Sequence, residues 1–253
     1  DFIEQAEQIL SLSIEILPGK EEARLIYNGV SHNHPDIEKA LVIDIGGGST
    51  EVILGNQFEH LSLDSLSLGC VTYNKYFKDN VINESNFQDA LLNAVLVIAP
   101  VKKQYSSKNW QHCIGSSGSI EAVHNVIQGF GFNDSTIKYE HLLLIKSKLI
   151  EIGNIELVTL DGLSNSRVNT FTSGLVLLMA LFQTLNIQEM YISNASLREG
   201  ILLELADELK GNDNRNTTVS NLENRFNIDK AHANNVKQVA QLIFDEVADE
   251  WAI

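Results

Sequence analysis

Asp44 and Glu51 bracket the run Gly46-Gly47-Gly48-Ser49-Thr50 in LVIDIGGGSTEVILG, between two apolar, largely β-branched stretches. A carboxylate ending one strand and another opening the next can hold a hydrated divalent cation such as Mg²⁺ from two sides. Without a Cβ, Gly46, Gly47 and Gly48 let backbone amides approach an anion closely, and Ser49 adds a hydroxyl. The chemistry on offer is phosphate held by amides beside a metal ion. A tight turn needing φ > 0 accounts for the glycines equally well. Two other phosphate motifs are excluded. No Gly-Lys-Ser/Thr follows, as a P-loop requires, and the glycines lead into a strand, where a dinucleotide fingerprint needs a helix.

The run Ile114-Gly115-Ser116-Ser117-Gly118-Ser119-Ile120 has a related layout: strand, small residues, helix. Small residues at a helix N-terminus make an anion pocket. A plain helix entry capped by Ser117 or Ser119 explains the same letters. Glu21 and Glu22 fall in a first helical turn, where acids ordinarily complement the helix dipole.

A formal charge of −15 over 253 residues excludes a nucleic-acid binder, whose affinity comes from Lys and Arg on phosphates. It leaves an anionic small substrate open, since amides and a cation can hold phosphate. Cys70 and Cys113 lie far apart without metal or redox spacing and read as two reduced, buried thiols of a cytoplasmic chain. The longest nearly apolar run, 174–182, is shorter than the roughly 20 residues a bilayer requires. No signal-peptide layout opens the sequence, and no membrane insertion is expected.

These residues need elements to hold them. Periodicity predicts a helix over 2–10, a strand over 13–17, a turn at Pro18-Gly19 and a helix over 21–30. Period-two alternation over 41–69 predicts an antiparallel meander whose first turn carries the glycines. Helices are expected at about 86–103, 119–128, 140–152, 171–185 and 196–209, with a strand at 190–193. The polar stretch 210–217 reads as a linker, followed by helices at about 218–226 and 230–250. Strands followed by helices predict an α/β fold with a mixed sheet flanked by helices, and then the start of a helical domain.

DIGGGSTEV resembles the second phosphate-binding hairpin of the sugar kinase, heat-shock 70 and actin superfamily. The form Asp-Ile-Gly-Gly-Gly-Ser-Thr-Glu is similar to that of the exopolyphosphatase and guanosine pentaphosphate phosphatase family. EILPGKEEARLIYNGV, SLGCVTYNKYF, IGSSGSIEAV, DGLSNSRVNTFTSGLVLL and SNASLREGILLE follow in family order across nearly the whole chain.

The resemblance implies a ribonuclease H-like lobe of actin/Hsp70 type. It sets 1–26 as the last piece of an N-terminal lobe, 27–209 as the second lobe, and 210–253 as linker and first helices of a helical HD-like domain. In the family a glutamate before the hairpin acts as base, and Glu22 of Glu21-Glu22-Ala23-Arg24 falls on that position. A helix N-terminus favours the ionised form such a base needs. Asp44 and Glu51 become the implied Mg²⁺ ligands, Gly46, Gly47, Gly48 and Ser49 the cradle of the terminal phosphate. Gly115, Ser116, Ser117 and Gly118 match the superfamily's nucleotide-side loop, implied to bind phosphate and in a polyphosphatase to touch the distal chain instead. Arg24 is expected to pair with Glu21 or with phosphate.

The implied reaction is hydrolysis of the terminal phosphoanhydride of inorganic polyphosphate. The alternatives are guanosine pentaphosphate (pppGpp), a nucleotide-binding ATPase of the same fold, or a phosphate-binding lobe without turnover. A homodimer is implied as well. Where the family commonly has Asp-Gly-Ala before Leu-Arg-Glu-Gly, this chain has Asn194-Ala195-Ser196, expected to serve strand-end packing.

Overall fold

The computed structural model describes residues 2–209 and 228–251. The chain divides into two compact units, Asp1–Leu203 and Glu204–Ile253. The helix expected at 218–226 and the linker at 210–217 lie outside the described residues.

The first unit is built on six strands: β1 (Lys39–Ile45), β2 (Thr50–Asn56), β3 (Glu59–Leu66), β4 (His112–Gly115), β5 (Thr136–Lys138) and β6 (Glu189–Ile192). They lie in the order β3-β2-β1-β4-β6-β5. β1 pairs with β4 and β4 with β6 in parallel, while β2 runs against β1 and β3, and β5 against β6. The meander forms because residues within 41–69 alternate and the glycine tip lets the chain reverse. β5 was not legible: three residues, Thr-Ile-Lys, are too short to show a period.

Seven helices belong wholly or in part to this unit: α1 (Phe2–Leu10), α2 (Gly19–Asn33), α3 (Glu84–Ile98), α4 (Gly118–Gly129), α5 (Tyr139–Ile152), α6 (Val168–Leu185) and α7 (Leu197–Leu209). α2 covers one sheet face, packing Ala23, Ile26, Tyr27 and Val30 on Ala40, Val42, Ile53 and Ile114, with Leu197 of α7 against the same cluster. On the opposite face α3, α4, α5 and α6 bury the larger core with Leu41, Ile43, Ile45, Val52 and Leu54. The alternation of β1 and β2 therefore divides the two faces, as a period of two requires. In the second unit, α8 (Lys230–Trp251) matches the helix expected at 230–250.

Three expectations need correction. Residues 13–17 alternate like a strand but form none: no neighbour takes their backbone bonds, and Ile14 N donates instead to Glu7 Oε1 at 2.8 Å. The helix expected to reach 103 ends at Ile98 and tightens into a 3₁₀ turn, Ala99–Val101, where Pro100 cannot donate. The apolar stretch is longer than it reads. Asn165–Leu185 forms 21 residues of helical structure containing an 18-residue window of mean hydropathy 1.5, long and apolar enough by length and composition to cross a membrane. Polar letters such as Asn169 and Thr172 hide that continuity, and 78% of its apolar window is buried inside the fold.

The seating of α2 on the sheet depends on Gly55. A Cβ there would lie 2.1 Å from Cζ and Oη of Tyr27, whose hydroxyl donates to Gln57 O at 2.8 Å. Gly55→Ala is expected to lose about 1–3 kcal/mol of stability, the range for overpacking a filled core. A lowered urea midpoint with an unchanged m-value would show it, and an unchanged midpoint would contradict it.

Candidate active site

Asp44 and Glu51 are directly opposed in the β1–β2 register, so their side chains leave the same face, the one α2 covers. Like charges so placed repel, and here both are buried, Asp44 9% and Glu51 1% exposed. Asp44 Oδ2 accepts from Ser116 Oγ at 2.9 Å and from Ser196 Oγ at 2.8 Å. Glu51 Oε1 accepts from Ser65 Oγ at 2.7 Å. Glu51 Oε2 is buried without a hydrogen-bond partner.

Burial pushes Asp44 up to about 6, against the pull of Ser196 and Ser116 and with a further push from the charge of Glu22. Burial likewise pushes Glu51 up to about 7. Ser65 and Ser49 counter that rise, and the charges of Glu22 and Asp44 add to it. The Ser49 hydroxyl favours the ionised form of Glu51, yet Oε2 has no hydrogen-bond partner.

The glycine tip is shaped from behind. Gly46 N donates to Ser49 O at 2.9 Å and closes the turn. Cys70 N donates to Gly46 O at 2.9 Å, and Val71 N and Thr72 N donate to Gly47 O at 3.0 and 3.3 Å. In a trans peptide the N–H points opposite to the C=O. Turning the carbonyls of Gly46 and Gly47 toward the 69–72 loop therefore turns the N–H groups of Gly47 and Gly48 away from it. Gly69 permits the clamp, since a Cβ there would lie 2.0 Å from Gly47 O. None of the three tip glycines takes the left-handed φ that would explain a plain turn. A Cβ on Gly48 would meet nothing within 4 Å, so no protein contact forbids a side chain there.

Glu21 and Glu22 sit in the first turn of α2, with Glu22 N bonded to Pro18 O at 3.0 Å. Arg24 grips Glu21 through two nitrogens, at 2.9 and 2.6 Å, and that hydrogen-bonded pair lowers the Glu21 carboxyl. The Glu22 side chain forms no hydrogen bond or ion pair with the described residues, yet its charge bears on both Asp44 and Glu51. The structure thus brings Glu22, Asp44, Glu51 and the hairpin tip together and leaves Glu21 in a surface pair.

The second small-residue loop is employed within the fold. A Cβ on Gly115 would lie 2.7 Å from Ile120 and Met190, which is a packing requirement. Ser116 serves Asp44, and Ser117 caps α4, accepting from Ile120 N at 3.3 Å and from Ile45 N at 3.2 Å. Gly118 packs on the guanidinium of Arg167. Arg167, with Ser119, Ser166 and Thr170, lines a cleft of about 360 Å³ that also takes in Gly46, Gly47 and Cys70 but none of the three acids. Ile45 lines it too, and Ile45 points to the opposite sheet face from Asp44. Acids and cleft share only the hairpin tip.

Sequence reasoning missed Arg167, Ser65 and the carboxylate role of Ser196. A lone Arg in the polar run SNSR gives no signal by type or spacing.

Among the described residues no set of three or more His, Cys, Asp and Glu is placed to chelate an ion. Mg²⁺ does not ask for one: it is commonly held by one or two carboxylates, with water and phosphate oxygens completing the shell. The unpartnered Oε2 of Glu51 and the opposed Asp44 fit that demand.

A sheet of order 3-2-1-4-6 with its second strand antiparallel, a fifth strand added at the edge and a glycine-tipped hairpin between β1 and β2, defines a ribonuclease H-like lobe of the actin type. The fold of an exopolyphosphatase from Cytophaga hutchinsonii superimposes with a TM-score of 0.70 at 21% identity, covering 81% of this chain and 69% of that one. The PPX-GPPA enzyme of Aquifex aeolicus gives 0.67 at 19% identity, covering 80% and 69%. At such identities the likeness is one of fold alone. The sequence goes further: the profile of the Ppx/GppA phosphatase family matches residues 1–209. A guanosine-5'-triphosphate,3'-diphosphate pyrophosphatase of Photobacterium profundum is 36% identical over all 253 residues. The chain belongs to the Ppx/GppA phosphatase family, and it spans 51% of the length of that relative.

Proposed function

We propose that this lobe carries the base and metal ligands of a phosphoanhydride hydrolase that removes the terminal phosphate of pppGpp. The observation that carries it is Glu22, an acid without a partner whose charge reaches both members of the buried Asp44–Glu51 pair. Glu22 takes the proton of the attacking water. The amides of Gly47 and Gly48, with Ser49, receive the oxygens of the terminal phosphoryl group where charge accumulates. Asp44 and Glu51 would hold Mg²⁺, which when bound neutralises negative charge on the transferring group. The guanidinium of Arg167 offers a cation to the remaining phosphates from the other side of the tip.

The 36% relative favours pppGpp over the polyphosphate reading, as does the helix α3, whose residues include no Lys or Arg to track a polymer. Cytoplasmic residence and a homodimer belong to the same proposal. Phosphate release from pppGpp and from long-chain polyphosphate, measured side by side with Mg²⁺, tests it. Faster release from pppGpp supports the assignment. Faster release from polyphosphate makes the protein an exopolyphosphatase.

Gly48→Ala separates cradle from fold. The added methyl has room, so stability is expected to stay within about 0.5 kcal/mol. Tripolyphosphate affinity is expected to fall about tenfold, a loss of about 1.4 kcal/mol. Calorimetric titration reads the affinity, and an unchanged value would remove Gly48 from the cradle.

A further inference from the structure

Four carboxylate oxygens belong to the opposed acids of the β1–β2 hairpin, and three serine hydroxyls occupy them unequally. Asp44 Oδ2 accepts from both Ser116 and Ser196, so the two lone pairs of that oxygen are taken. No hydrogen bond reaches Asp44 Oδ1 among the described residues. Ser65 donates to Glu51 Oε1, while Oε2, in a side chain 1% exposed, has no partner. One oxygen of each acid is tied back and one is left bare.

The three hydroxyls come from separate elements, each tightly placed. Ser116 follows β4, with its N–H on Ile43 O at 3.0 Å, one residue before Asp44. Ser65, on β3, is pressed by the first residue of α2: a Cβ on Gly19 would lie 2.5 Å from its Oγ. Ser196 is brought in by a glycine-to-backbone crossing of α2 and α7. A Cβ on Gly29 would lie 2.3 Å from Ser196 O, and one on Gly200 would lie 1.9 Å from Leu25 O.

We infer that Ser116, Ser196 and Ser65 confine Asp44 and Glu51 to one-oxygen ligation, and so make the site select a small six-coordinate cation such as Mg²⁺ over Ca²⁺. The inference rests on the reading of the two acids as metal ligands. Ca²⁺ takes about six to eight oxygens and readily accepts both oxygens of one carboxylate. Mg²⁺ requires near-octahedral geometry, keeps several waters and is served by single oxygens. An Asp44 whose Oδ2 is doubly capped cannot turn both oxygens to an ion without giving up a hydrogen bond.

The test is calorimetric titration of the metal-free 253-residue chain with MgCl₂ and with CaCl₂, for wild type, Ser196→Ala, Ser65→Ala, the double variant and Ser196→Thr. Mg²⁺ affinity is expected to fall about tenfold in the alanine variants, at the low end for groups hydrogen-bonded to metal ligands. Ca²⁺ affinity is expected to hold or rise, so the preference for Mg²⁺ narrows by about the same factor. Ser196→Thr keeps a hydroxyl and is expected to keep the wild-type preference. Equal loss for both cations would overturn the inference, because a merely structural role weakens every ion alike. A wild type that binds neither cation would overturn the metal-ligand reading along with it, a result distinct from an unchanged ratio. Melting temperatures of the five proteins identify any variant that has lost its fold, and Ser65→Ala and Ser196→Ala reach the same ratio through different elements.

Discussion

Glu22→Gln is expected to lower turnover by about 10²–10⁴-fold, the range for loss of a general base, while leaving fold and cation binding in place. The expectation rests on how Glu22 is held. It is bonded to the protein through its backbone, at the start of α2, and its side chain makes no hydrogen bond or ion pair with the described residues. Removing its charge therefore breaks no contact. It also relieves a repulsion, since Glu22 helps to raise both Asp44 and Glu51. With that charge gone the two acids ionise more readily, and Mg²⁺ affinity should hold or improve. A metal ligand would behave in the opposite way, losing affinity together with turnover. Single-turnover phosphate release and calorimetry on the same preparation distinguish the two roles. Undiminished release would remove Glu22 from the reaction, and a matched loss of Mg²⁺ affinity would make it a ligand.

The hairpin was legible because its determinants are local. Asp44 and Glu51 lie symmetrically about the glycine tip, so any tight reversal there sets them opposite each other on one face. The partners of those acids were not legible, because they arrive through tertiary contacts. Ser196 reaches Asp44 across 152 residues and Ser116 across 72, and serine is too common to mark either position. Ser196 could be seen only as a departure from the family's usual letters. Residues 13–17 mislead in the other direction: their alternation is real, but pairing decides whether a strand forms, and pairing is not a local property. The tip glycines lie between these cases. Their number pointed to an anion or to a turn, and the features that bear on the choice, the clamp from the 69–72 loop and the open space beside Gly48, are tertiary.

Glu51→Gln should change stability and function in opposite directions. In the metal-free protein burial raises Glu51 from its ordinary 4.5 to about 7. A carboxyl raised on folding favours the folded state while protonated, fully so below about pH 4.5, and that support is lost as pH rises through 7. At about 1.4 kcal/mol per pH unit the loss is on the order of 3 kcal/mol. The metal-free wild type should accordingly melt several degrees lower at pH 8 than at pH 5. The introduced glutamine carries no charge at either pH. Its carbonyl can accept from Ser65 as Oε1 does, and its amide can donate to the nearby Ser49 hydroxyl. The variant should therefore show a flatter pH profile, with only the share due to Asp44 remaining, and should melt above the metal-free wild type at pH 8. Mg²⁺ should reverse that order at pH 8, raising the wild type by mass action and leaving the variant unmoved. At pH 5 protons hold the carboxyls, and Mg²⁺ should do little for either protein. Calorimetric melting at pH 5 and pH 8, with and without Mg²⁺, reads all of these at once. Equal pH slopes for wild type and variant would mean that Glu51 does not carry the buried charge. A Mg²⁺ response in the variant would mean that the cation is held elsewhere. The expected pattern identifies a carboxylate kept at a cost to the metal-free fold because the cation needs it.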